Sequence, residues 1–206
     1  MSTRLTYTDI ANMAIDWCGG ALSIQDIDDM QNPDAIVCAR NLPHAIQTEL
    51  DSHEWTFARR VITPVEDKTP DKQIPGYICY SLPDDFSRLS MYEFFDYYRF
   101  PNTHEYQRGH TYMLQNNRLY TRAKLPYLAY QSNNVPIGEW HSLFCDCVAL
   151  NLATRICGKL KGLDADIGFM RMLYNDRLKD ARRLELIQTE AQQGGFSTLQ
   201  ANRVVP

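Results

Sequence analysis

From Pro33 to Arg60 the chain reads PDAIVCARNLPHAIQTELDSHEWTFARR, and Ile36, Ala39, Leu42, Ile46, Leu50, His53 and Phe57 recur at steps of three and four. Residues spaced in this way fall on one face of an α-helix, so the stretch needs an apolar surface to lie on. Asn32 ahead of Pro33 and Asp34 is a start signal. It combines a capping side chain, a proline whose missing N–H is not needed at the first helical position, and a carboxylate at the positive end of the dipole. Pro43 removes one backbone donor and crowds the carbonyl of Ala39; because the stripe resumes beyond it, a kink is expected.

The surrounding chain has to supply that surface. With 206 residues and 44% hydrophobic content it is long enough for one domain with an insertion. A formal charge of -4 argues against a protein that grips nucleic acid over its whole surface. No apolar run approaches the roughly 20 residues that span a bilayer, and the opening MSTRLTYTDIANMA lacks an apolar signal core. These features predict a soluble chain made in a cytoplasm, with no membrane contact. Cysteines at 18, 38, 79, 145, 147 and 157 are scattered through apolar periodic segments, which predicts reduced, buried thiols. His141 and Cys145 share a helical face and invite a metal reading with Cys147 and Cys157, but Cys145 and Cys147 point roughly 200° apart on a helix.

In chain order, Thr6 or Thr8 caps a helix near Asp9–Cys18 that ends at Gly19-Gly20. The acidic cluster Asp26, Asp28, Asp29 lacks the glycine and the closing glutamate of a calcium loop, with Val37 in the latter's place. Thr63 to Gly76 holds three prolines and five charges and reads as a loop. Runs at Tyr77–Leu82 and Phe86–Phe95 read as strands. Tyr112–Gln115, Asn116-Asn117 and Arg118–Thr121 read as a hairpin, because asparagine tolerates positive φ. Leu125–Tyr130 follows, with Pro126 suggesting an edge strand. Helical character returns at Glu139–Leu160, carrying Trp140, Phe144 and Val148. A last helix starts at Asp164 or Asp166, alternates in charge, and is expected to stop at Gly194-Gly195.

Between these elements, Phe94–Tyr106 packs five aromatic residues into its first seven positions. Such aromatics can stack on single-stranded nucleic acid, but one arginine against two acids suits sheet core or a protein contact better. No phosphate loop, nucleophile elbow, zinc-protease or Cys-x-x-Cys motif is present in the sequence, and adjacent His53-Glu54 diverge by about 100° on a helix. The residues themselves therefore point to no enzyme and no cofactor. The expected fold is mainly α, a bundle of about four helices with an inserted β-hairpin or small sheet. It divides as 1–62 and 135–193 for the bundle, 63–134 for the insertion and 194–206 for an extended arm.

The order of these parts resembles the head-to-tail adaptors of tailed bacteriophages, in particular the tail tubular protein A group of short-tailed phages. The resemblance lies in Ala35–Arg60 ending in EWTFARR, YSLPDDFSRL from Tyr80 to Leu89, and the hairpin and strand from Leu114 to Tyr130. It continues through the helix Trp140–Leu160 and the last helix into Gly194-Gly195-Phe196. That family implies a virion protein of the neck, assembled as a twelve-copy ring between portal and tail nozzle, with double-stranded DNA passing through without tight binding. On that scheme Phe196, Leu199, Val204 and Val205 would meet the portal, and Phe95, Tyr97, Tyr98 and Phe100 the nozzle. Ile36, Leu42, Ile46, Leu50, Trp55, Phe57, Trp140, Phe144 and Val148 would form the bundle core. The rival from another class is a nucleic-acid-binding or DNA-packaging accessory using Arg171, Arg177, Lys179, Arg182 and Arg183.

Overall fold

A computed structural model describes residues 5–19, 23–69, 73–96, 112–122, 126–160 and 166–201, with 91–96, 126–127 and 188–201 described by backbone alone. Among the described residues, four α-helices and seven strands in two antiparallel sheets make this an α+β fold, which corrects the expectation of a mainly α bundle. The β content was underread because several strands are only two to four residues long. Runs that short carry almost no periodic signal. The chain divides into a helical unit, residues 1–57 with 135–206, and a β unit, residues 58–134.

Within the helical unit, α1 (Tyr7–Trp17) starts on a capping box in which Thr6 and Asp9 satisfy each other's backbone amides. Helix α2 (Pro33–Ser52) begins under the Asn32 side chain and runs unbroken through Pro43, which lies on the exposed side. Its buried face is Ala35, Cys38, Leu42, Ala45 and Glu49, with Leu50 beside it. The face is thus rotated by about one residue from the Ile36–Ile46 stripe. It ends at Ser52, before the expected Arg60, and a 3-10 turn at Thr56–Ala58 follows. Helix α3 (Ser142–Leu160) is the centre of the unit, packed against α1, α2 and α4. Helix α4 (Ile167–Ala201) starts where Asp166 accepts from the Phe169 amide. It passes through Gly194-Gly195, so the arm expected to be extended from 194 is helical to Ala201.

The β unit holds one sheet in the order β1-β7-β4, built from Arg59–Ile62, Pro126–Ser132 and Phe86–Asp96. Its second sheet runs β2-β3-β6-β5, from Val65–Glu66, Ile78–Ser81, Arg118–Thr121 and Tyr112–Gln115. Strand β7 is central, not an edge. Pro126 is tolerated because it stands at the strand's first position, opposite Asp96 at the end of β4. Tyr80, Leu82, Leu119, Leu128 and Tyr130 form the core of the unit, drawing on both sheets. Asn116 and Asn117 hold φ of 52° and 57°, the pair of positive angles that a two-residue hairpin turn demands.

Candidate functional site

Chemistry in the helical unit gathers around two buried carboxylates. Glu49 stands in the middle of the buried face of α2, with its side chain shut off from solvent. Its Oε1 accepts from Asn151 Nδ2 at 2.6 Å, while Asn151 Oδ1 accepts from Arg155 Nε at 2.7 Å. The Tyr174 hydroxyl of α4 is turned to the same carboxyl. Burial pushes the Glu49 carboxyl above its ordinary value, against the pull of Asn151, Tyr174, Arg182 and Arg155.

Glu185, from α4, is equally buried but differently supplied. Its Oε2 accepts from the Thr56 backbone amide at 2.9 Å, and its Oε1 lies 3.2 Å from His141 Nε2. His141 Nδ1 accepts from the Phe144 amide at 3.0 Å, which makes His141 the cap of α3. A nitrogen that accepts carries no proton, so Nε2 is the nitrogen whose N–H faces Glu185. Burial raises the cost of ionising Glu185, but the His141 and Thr56 hydrogen bonds outweigh it and hold the carboxyl below its ordinary value. The carboxylate thus fastens together the segment leaving the helical unit at Thr56 and the start of α3.

Around this pair sits an aromatic cluster. Phe144 meets Trp55, Phe57 and Trp140 edge-on with ring centroids 5.0 Å apart in each case, and Trp55 stacks on Phe57 at 5.9 Å. The indole N–H groups are satisfied: Trp55 donates to the Glu49 carbonyl and Trp140 to that of Val135. Of the core residues expected from sequence, Leu42, Leu50, Trp55, Trp140, Phe144 and Val148 are buried, and Ile36, Ile46 and Phe57 are partly buried. The sequence reading missed Glu49, Glu185 and the role of His141. Helical spacing carries the signal, since Ala35, Cys38, Leu42, Ala45, Glu49 and Met170, Tyr174, Leu178, Ala181, Glu185 each step by three or four, but a charged residue masks the stripe it belongs to.

The expected contact residues fare differently. Phe95, Phe196 and Leu199 lie on β4 and α4, where only the backbone is described, and Tyr97, Tyr98, Phe100, Val204 and Val205 lie outside the described residues. All six cysteines are buried and stand outside any disulfide. Among the described residues no cluster of His, Cys, Asp or Glu is arranged to hold a metal ion, and no helix is long and apolar enough to cross a membrane. The described part of α4 exposes Phe169, Met172, Leu186 and Ile187. Three of its basic residues have local partners: Lys179 pairs with Asp176 at 3.3 Å, Arg183 with Asp180 at 3.8 Å, and Arg182 donates to the Ser52 carbonyl, while Arg171 and Arg177 are exposed. The chain matches no family model, and no curated protein sequence matches it.

Proposed function

We propose that the chain is a structural virion protein, a head-to-tail adaptor whose copies form a ring joining the capsid portal to the tail nozzle while the genome passes through. The observation that carries the reading is the length of α4. At 35 residues it extends about 52 Å, whereas α3, its neighbour, has 19 residues and extends about 28 Å. A helix that outruns its neighbour and exposes Phe169, Met172, Leu186 and Ile187 suits contact with other subunits. The order of parts that the resemblance rests on, helices before and after a β-rich segment, supports the same reading.

The accessory reading, with α4 gripping DNA, is weakened by the acidic partners of Lys179 and Arg183 and by the seat of Arg182. Native mass measurement of the protein alone and with its cognate portal tests the proposal. A portal-dependent ring is the expected result; a monomer that ignores portal and binds duplex DNA in a salt-dependent manner overturns it. Deleting residues 196–206 should abolish portal binding and leave a folded chain; unchanged binding removes the tail from the scheme.

A further inference from the structure

Glu49 reaches from α2 toward α3 and α4 with none of its side chain exposed. One oxygen is bonded to Asn151, and the other, Oε2, is buried without a well-formed hydrogen bond. Its facing groups are Asn151, Arg155 and the Cys147 thiol from α3, and Tyr174 and Arg182 from α4. Neither guanidinium is in ion-pair contact with it, although the Arg182 Nε is itself buried without a hydrogen-bond partner. Arg155 bonds Asn151 Oδ1 at 2.7 Å and Thr48 Oγ1 at 2.9 Å, and Arg182 bonds the Ser52 carbonyl at 3.1 Å. Among the described residues no ion pair includes Glu49, so a charge there has no counter-ion in contact.

Against this, the described part of α4 fully buries few apolar residues, with Ile167, Leu173 and Leu184 only partly covered. Met170, Leu178 and Ala181 are its buried hydrophobic residues among those whose side chains are described. We propose that α4 is a proton-linked latch, closing over Glu49 when that carboxyl is protonated and opening more readily when it is ionised. This inference stands apart from the adaptor reading and neither needs nor tests it.

A carboxyl whose value is raised in the closed state, above the ordinary 4.5, binds its proton more tightly there than in the open state. Closure is therefore favoured at low pH and lost as pH rises from the ordinary value through the raised one. Glu185 acts in the opposite sense, because its value is lowered, and its window lies below 4.5. Asp146 on α3 is also raised by burial, but it faces the Arg177 charge and is only partly buried, so its share is smaller.

Hydrogen exchange of the segment 166–187, corrected for the intrinsic pH dependence of amide exchange, reads the latch directly. As pH rises above the ordinary 4.5 the opening constant should rise by up to about tenfold per pH unit, and it should level off once the raised value is passed. Glu49→Gln keeps the shape and removes the charge, so α4 should stay closed at the upper end with a flat profile; Asp146→Asn should leave most of the slope. A pH-independent native profile, or an E49Q profile as steep as the native one, overturns the latch. Should E49Q not fold, infrared spectroscopy of the native protein decides. A buried protonated-carboxyl band that fades in step with α4 opening is expected, and its absence at the ordinary value of 4.5 overturns the proposal.

Discussion

Helices α3 and α4 pack against each other in one unit, yet they are seated by different chemistry. Eleven of the 19 residues of α3 are buried, and Asn151 is the single polar member of that set. In α4 the described buried positions are Met170, Leu178, Ala181 and Glu185, and the half-buried positions between them carry Tyr174 and Arg182 as well as Leu173 and Leu184. Apolar area fixes α3, and area does not respond to protons. Polar matches fix much of α4, and these depend on charge, geometry and pH.

The sharpest way to break this contrast is to empty one side of it. Phe144→Ala removes the ring on which Trp55, Phe57 and Trp140 converge and should cost about 3–5 kcal/mol in urea unfolding. Leu178→Ala, at the partly open edge of the α4 seat, should cost about 2 kcal/mol. Equal losses would show that α4 is held by area after all.

Glu185 gives the next largest effect. Glu185→Ala leaves the Thr56 amide and His141 Nε2 buried without their acceptor and should cost about 2–3 kcal/mol. Glu185→Gln keeps an acceptor for Thr56 and should cost about half as much. The charge has its own signature. Because the native Glu185 value is lowered, its contribution is complete above the ordinary 4.5 and disappears as pH falls through the lowered one. The gap in stability between native protein and E185Q should therefore shrink on acidification; a gap that stays constant from neutral to strongly acidic pH would refute the ionised clasp.

These two carboxylates also mark the limit of what the sequence discloses. Local rules act over a few residues and were legible: the caps at Thr6 and Asn32, the hairpin turning at Asn116-Asn117, and the strands at Tyr77–Leu82 and Phe86–Phe95. Pairing partners were not, because the register of β1 with β7 joins residues such as Arg60 and Tyr130 that no local pattern links. The periodic stretch from Pro33 reads on to Arg60, but Arg59 and Arg60 open β1 once α2 has stopped at Ser52. Glu49 reads as a solvated residue until Asn151 and Tyr174, far along the chain, are placed beside it. Of the candidate site, the aromatic members were visible by type and the acids that organise it were not.

The β unit supplies the small-effect control, at the Asn116-Asn117 turn. Asn117 holds φ of 57°, where a side chain with a Cβ meets the following carbonyl and asparagine recovers part of that cost through local hydrogen bonding. Asn117→Ala should destabilise by about 1 kcal/mol, while Asn117→Gly, free of the Cβ, should change stability by less than about 0.5 kcal/mol. Neither touches a titrating group near α4, so both should leave the pH profile of α4 exchange as it is in the native protein. An N117A variant that shifted that profile would mean that any loss of stability opens α4, and the distinction between a helix held by area and one held by charge would fall with it.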